Sequence, residues 1–580
     1  MKALIAATVV AMTPAAALAQ AQTAVRTQDQ AQDQTQDQTQ DQARAFSPST
    51  GPISPERISE ITRELASDPY AGRGPGGPGE PRTIDYLVGQ FKALGLEPAG
   101  DGGTFVQDVQ LYRFQTQDGG AYALKAPGLS RNLKTQADLR IETQRPVAHV
   151  QIKDAPLVFV GYGVSAPERG WDDFKGVDLK GKIAVILIND PDFEARPGDA
   201  VAGKFGGQAA TYYARWTYKY EEALRQGALG ALIVHETAGA AYPWSTVVAG
   251  GGESYDVVRD DPASARLLLQ GWMQRPLAVE LFKASGLDFE AEKARARTAD
   301  FRPVELKGAT FSADYRNAFE KLTSRNVVGA IRGTKHPDET IMYSTHWDAY
   351  GLGEPDASGA TIRPGALDSA TGVAAVIETA RAFKAGPAPE RTLLFGLWTA
   401  EERGLLGSEY FAQTSPYGAG KMVASIAYDT LHPLGPTRDV VLIGSGQNQL
   451  EDRLKAAAAR YGRTVTPDPR PERALNYRAD HFSFGRRGVP TLLLMALAGG
   501  PDVVDGGRAK GDKWVEDFTA RCYHQTCDRW ESWHDYRGAA ADVNLAYELG
   551  RELAGSRDWP DWNEGSELKP IRARTSAERK

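Results

Sequence analysis

Cysteine is almost absent: the 580 residues include two, Cys522 and Cys527, both in the stretch Cys-Tyr-His-Gln-Thr-Cys. If the chain is exported, a pair this close in sequence favours a local disulfide over a metal site or two free thiols. Long apolar runs are missing beyond the first nineteen residues. Nothing after Ala19 approaches the ~20 residues that a membrane helix requires. Runs of Lys or Arg are missing too, and 67 basic against 74 acidic side chains give a formal charge of −7. That balance argues against nucleic acid or an anionic membrane as the main partner. The Gly/Pro-rich loop Tyr70–Gly79 lacks the Lys-Ser/Thr ending of a phosphate-binding P-loop, and is read as an irregular connection.

What is present begins with Met1 to Ala19: Lys2, an Ala/Val-rich apolar run, and Ala17-Leu18-Ala19 as a small-residue cleavage site. That pattern predicts a secretory signal peptide and residence in a periplasm or outside the cell. Residues 20–50 repeat Gln, Asp and Thr without apolar period and predict a disordered linker. From Ser54 the composition changes. Ser54-Pro55 reads as a helix cap with proline at the first helical position, and Ile58, Ile61 and Leu65 share a face. A second helix is expected over 81–94. Between about 147 and 300, strand-like runs (157–163, 183–188, 230–234) and a helix at 218–225 make a β-rich module without clustered ligand types. His235 follows its last strand, but alone reads as structural.

From Asn326 onward strands alternate with helices. Strands are predicted at 326–331, 339–345, 391–398, 422–428, 440–443 and 490–494, and helices at 371–384, 405–413, 449–461 and 539–554. This is the pattern of an α/β three-layer sandwich with a mixed, mostly parallel central sheet. Ligands gather beyond the carboxyl ends of such strands. There the sequence puts His346 and, two residues on, Asp348; Glu401-Glu402 after the next strand; and Asp429 at the end of the one after. Asp368 precedes a helix, and His524 lies between the two cysteines. Singly, each has an ordinary alternative: a core histidine, a helix cap, a turn residue, an acidic helix start. Jointly, two histidines and three carboxylates exceed one tetrahedral zinc and suit two metals sharing a carboxylate.

The order His-x-Asp, Asp, Glu-Glu, Asp, Tyr-His resembles the secreted aminopeptidases and glutamate-carboxypeptidase relatives that carry two co-catalytic zinc ions. The motifs are Thr345-His-Trp-Asp, Gly365-Ala-Leu-Asp-Ser-Ala-Thr-Gly, Glu401-Glu-Arg-Gly-Leu-Leu-Gly-Ser-Glu-Tyr-Phe, Ala479-Asp-His-Phe-Ser-Phe-Gly and Cys522-Tyr-His-Gln-Thr-Cys-Asp. The resemblance implies that Asp368 bridges two zinc ions, with His346 and Asp429 completing one site and Glu402 and His524 the other. Glu401 would be general base and acid, Tyr523 would steady the oxyanion, and Asp348 would orient His346. It implies a peptidase domain over 51–140 and 306–560, a protease-associated domain inserted at 141–305, and a flexible tail at 561–580.

Three departures stand out. The residues 351–364 look like an insertion at the rim of the site. Ser369 follows the bridging aspartate, where the family has Asp or Asn and often a cis peptide. His481 is a rival ligand in a segment that lines the substrate side in the family, and is left out of the metal set. The function implied is a zinc-dependent exopeptidase, foremost an aminopeptidase acting on peptides. A carboxypeptidase or dipeptidase is the first alternative, with Arg473, Arg478, Arg486 and Arg487 available for a substrate carboxylate. A glutaminyl cyclase-like enzyme and a metal-free receptor-like binding protein are the others. Carboxylate-rich sites of this kind also accept manganese or cobalt.

Overall fold

A computed structural model describes residues 51–249 and 252–579. The expected signal peptide and linker lie outside the described residues. Helix α1 (Pro55–Leu65) starts where the sequence predicts: Ser54 Oγ accepts the N–H of Arg57 at 3.2 Å, and Ile58, Ile61 and Leu65 are buried. Helix α2 (Glu80–Ala93) follows, then strand β1 (Val106–Thr116). Next come β2 (Ala121–Ala126), β3 (Leu129–Leu133), β4 (Leu139–Glu142), β5 (His149–Phe159), β6 (Ile183–Leu187), α3 (Trp216–Arg225), β7 (Gly230–His235), β8 (Glu253–Val257), β9 (Leu269–Gln274) and α4 (Arg275–Ala284). The long strand β10 (Val304–Ile331) leads into β11 (His336–His346), α5 (Thr371–Ala385), β12 (Arg391–Trp398), α6 (Leu406–Thr414) and β13 (Met422–Asp429). The chain closes with β14 (Asp439–Ile443), α7 (Leu450–Arg460), β15 (Thr464–Pro467), β16 (Thr491–Met495), α8 (Gly507–Arg521) and α9 (Arg537–Ala554).

These strands make two sheets that share β10. The first runs β8-β1-β10-β12-β11-β13-β16-β14-β15, and its centre, β12-β11-β13-β16, is parallel. Both faces are covered, which is why β12 and β13 are buried at every position. Successive residues of β11 feed different layers: Ile341 and Tyr343 pack with α5 and α9, while Met342 packs with Trp398 and with Phe411 of α6. That alternation is the three-layer sandwich.

The second sheet, β3-β2-β10-β5-β6-β7-β9-β4, has its own cores on its two faces. It takes up residues 304–316 of β10, whose continuation 317–331 belongs to the first sheet. The block therefore extends past 141–305 at both ends, because one uninterrupted strand serves two cores. The block leans on the first sheet's domain through Tyr212, whose ring lies 4.9 Å from that of Phe482, and through ion pairs Arg486–Glu221 (3.0 Å) and Arg169–Glu567 (3.0 Å).

The stretch 561–579 is not a loose tail. Trp562, Leu568 and Arg572 are buried, and Arg572 Nη1 donates to the carbonyl of Met422 at 2.9 Å, tying the end of the chain to the start of β13. Among the described residues no helix is long and apolar enough to cross a membrane.

Candidate active site

Because β12, β11 and β13 are adjacent and parallel, their carboxyl ends open on one edge. His346 and Asp429 are the last residues of β11 and β13. After β12, a left-handed residue, Ala400 (φ +53°), turns the chain so that Glu401 and Glu402 diverge. Asp368 enters from the turn before α5, where its peptide bond to Ser369 is cis. His524 (φ +63°) comes from the loop after α8 that the Cys522–Cys527 disulfide closes.

Two groups result, each with one ligand atom per residue and all such atoms within 4.8 Å: His346, Asp368 and Asp429, and Asp368, Glu402 and His524. His346 Nε2 lies 3.3 Å from Asp368 Oδ1 and 3.6 Å from Asp429 Oδ1. His524 Nε2 lies 3.3 Å from Asp368 Oδ2 and 3.1 Å from Glu402 Oε2. The two oxygens of Asp368 thus face different histidines. Glu401 belongs to neither group, yet its Oε2 is 3.9 Å from His346 Nε2.

The residues fit metal ions on two counts. His346 Nε2, His524 Nε2 and Glu402 Oε1 are buried without a hydrogen-bond partner, an arrangement that costs stability unless something else satisfies those atoms. Negative charge is also in excess: Asp348, Asp368, Glu401, Asp429, Asp480 and Asp528 are all buried, with Glu402 beside them, against two histidines and the buried Arg73. Buried charges persist only when paired, so the cluster calls for cations. Nitrogen and carboxylate donors of this kind suit zinc. Protonation of the histidines answers the same field. Burial opposes the charge on His524, yet Glu402 and Asp368 lift its pKa to about 9; burial likewise opposes that on His346, and Glu401, Asp368 and Asp429 outweigh it. Asp368, though buried, is held below the usual carboxylate range by His346 and His524. Burial and then Glu402 and Asp480 raise Glu401, with His346 opposing.

Asp348 departs from expectation in detail. His346 Nδ1 faces the backbone carbonyl of Asp348 at 3.0 Å, while the carboxylate oxygen is 3.7 Å away. That carboxylate instead accepts the N–H of Glu401 at 3.0 Å, so Asp348 steadies both the histidine and the Glu401 turn. The ring of Tyr523 stacks on His524 at 3.6 Å; burial and the charge of Asp368 keep its phenol protonated and able to donate. The ring of Tyr350 also lies against His524, at 4.2 Å, and Arg403 lies 4.9 Å above Tyr350.

His481 stays outside both groups. It is buried next to Asn476 Oδ1 (3.3 Å), and burial lowers its pKa to about 3. Residues 351–364 form a rim: Gly351–Leu352 pairs with Ile362–Arg363, and Thr526 in the disulfide loop donates to Asp356. Of the four candidate arginines, Arg486 and Arg487 are paired with Glu221 and Glu409, and Arg473 donates to the carbonyl of Leu497 at 2.7 Å. The guanidinium of Arg478 has no partner among the described residues, and its charge reaches Tyr523, Arg473 and, in the second-sheet block, Arg215. Arg215 has no acidic partner among the described residues either, and its Nε is buried without a partner.

Sequence reasoning did not single out Arg73, Asp480, Asp528, Tyr350 or Arg403. Asp480 and Asp528 stand inside the motifs Ala479-Asp-His-Phe and Cys522-Tyr-His-Gln-Thr-Cys-Asp, where an acid close to a histidine was a usable signal. Arg73 carried none, because a Gly/Pro loop has no period from which burial can be read.

Residues 326–547 match the sequence profile of peptidase family M28. The chain is 28% identical over 262 residues to leupeptin-inactivating enzyme 1 of Streptomyces exfoliatus, which covers 43% of this chain and 55% of that protein. It is 24% identical over 290 residues to a glutamate carboxypeptidase 2 homolog of Caenorhabditis elegans, covering 45% of this chain and 35% of that protein. The match thus spans about a third to a half of the length of these relatives. Among solved structures, an aminopeptidase from Aneurinibacillus sp. strain AM-1 aligns over 87% of this chain and 95% of its own, with a TM-score of 0.47 and 19% identity.

Proposed function

Since the chain belongs to peptidase family M28, we propose that it is an exported, zinc-dependent exopeptidase, foremost an aminopeptidase, with the second-sheet block as a protease-associated domain. The observation that carries the reading is the pair of three-residue groups sharing Asp368, set in a pocket crowded with buried carboxylate. His346, Asp368 and Asp429 would hold one zinc, and Asp368, Glu402 and His524 the other. Zinc bound there supplies Lewis-acid polarisation of the scissile carbonyl and a more acidic water. Glu401, beside His346 and part of neither group, would accept a proton from the attacking water and return one to the leaving amine. Tyr523 donates from its protonated phenol to the oxygen where negative charge develops. Asp348 fixes the Glu401 turn through its N–H. The negative field of the pocket favours a substrate that brings a positive charge, which a free α-amino group does. The name of one relative, leupeptin-inactivating enzyme, agrees with this reading. The disulfide beside His524 agrees with export.

The unpartnered guanidiniums of Arg478 and Arg215 favour a second reading, in which the enzyme also takes the substrate's free C-terminal carboxylate, as a dipeptidase or carboxypeptidase does. One substrate panel tests both. Leu-p-nitroanilide should be cleaved and its N-acetyl form should not. Cleavage of the acetylated compound at an equal rate would remove the aminopeptidase reading. For the second, Arg478→Ala should raise KM for a free dipeptide about tenfold or more while leaving its C-terminal amide unchanged. An equal effect on both contradicts carboxylate recognition.

A further inference from the structure

Arg73 is the most completely enclosed cation near the site, with no exposed surface. Its guanidinium makes no ion pair among the described residues. It donates instead to four carbonyl oxygens: Nε to Trp347 (2.7 Å), Nη1 to Leu65 (2.7 Å) and Pro364 (2.6 Å), and Nη2 to Gly365 (2.7 Å). The carbonyl of Arg73 itself accepts the N–H of Ala349 at 3.2 Å. Trp347 sits between His346 and Asp348, and Gly365 opens the turn that carries Asp368, so one side chain grips both ends of the β11–α5 connection, which supplies a ligand at each end. Two glycines permit the approach. At Gly72 (φ +67°) a Cβ would meet the carbonyl oxygens of Arg363 and Gly351 at 2.5 and 2.6 Å, and at Gly365 (φ +58°) it would meet Asp368 O at 2.3 Å and Arg73 Nη2 at 2.9 Å.

The Asp368 turn is held from the other side as well. The Asp528 carboxylate accepts the N–H of Leu367 at 2.8 Å and of Asp368 at 3.1 Å, and the Asp528 carbonyl accepts that of Ala366 at 3.0 Å. Carbonyls of 364–365 therefore go to Arg73, and N–H groups of 366–368 go to Asp528, three residues beyond Gln525 and four beyond His524.

We infer that Arg73 is a positioning residue which, with Asp528, fixes the distance between the His346 and Asp368 loops, so that the candidate metal centre is preformed before any ion binds. The inference rests on the metal-centre reading above. A lysine cannot replace the guanidinium here, because one ammonium cannot donate along four diverging directions. The fork ties the two ends of the β11–α5 connection to the end of α1 at Leu65, and the positive charge also offsets part of the surrounding carboxylate field.

Two measurements test this on the full chain. In the wild-type protein stripped by chelator, amide hydrogen exchange of Leu367, Asp368 and Ala349 should stay slow, within a few-fold of the zinc-loaded protein. Exchange rising to the level of an open loop would mean that metal, and not Arg73, orders the turn. In Arg73→Lys, zinc affinity by chelator competition should fall 10- to 100-fold, and the visible spectrum of the cobalt-loaded protein should change. An affinity and cobalt spectrum equal to wild type would overturn the role. A wild-type chain that takes up no zinc would instead refute the metal-centre reading, and the exchange of the turn would still report on the clamp.

Discussion

Glu401 and Glu402 are neighbours in sequence with opposite surroundings. Glu402 faces His524 at 3.1 Å, whereas Glu401 is turned toward His346 and held at its N–H by Asp348. On the proposed function, the first carboxylate would bind metal and the second would move protons. Glu401→Ala should therefore lower kcat by about 10²- to 10⁴-fold with zinc content unchanged, measured by turnover beside elemental analysis. An active variant, or one that has lost its metal, would contradict the role given to Glu401. At this scale the sequence was informative wherever a residue followed a predicted strand, since parallel strands force their ends together. It was silent on Arg73, which reaches the site from a loop whose course no periodicity reveals. It paired Asp348 with His346 but did not say through which atom: the carbonyl lies at 3.0 Å and the carboxylate at 3.7 Å. A backbone contact of that kind depends on loop geometry that residue types do not encode.

Among the elements, the buried strands were readable because both their faces are covered and their apolar runs are unbroken: β12 spans the predicted 391–398, and β13 runs one residue past the predicted end. Strand β1 and the middle of β10 were missed because their outer faces are polar and their pairing is with each other across a long separation. Helix α8 was missed for a different reason. Only Gly511, Val515 and Phe518 of its residues are buried, too few to mark a face. Yet α8 delivers the disulfide loop that carries Tyr523 and His524. Replacing both cysteines by serine frees that loop, in which His524 holds φ +63°. The prediction is selective loss of the Glu402/His524 ion, with zinc falling toward about one per chain while the melting temperature of the apo form changes little. Retention of full zinc would mean that stacking on Tyr350 and Tyr523 is enough to hold His524.

For the molecule as a whole, the alternation of strands and helices was sufficient to predict the three-layer sandwich. The limits of the second-sheet block were not readable, because β10 passes from one sheet into the other without a break in pattern. That shared strand, together with the Tyr212–Phe482 and Arg486–Glu221 contacts, brings Arg215 within reach of Arg478 beside the site. On the proposed function, the cluster of seven acids and two histidines holds two cations. The most direct test is the zinc content of the purified full chain, determined before and after chelation and reloading. The account predicts about two zinc per chain, loss of peptidase activity on chelation and its return on reloading. A folded protein that binds no zinc under these conditions would contradict it.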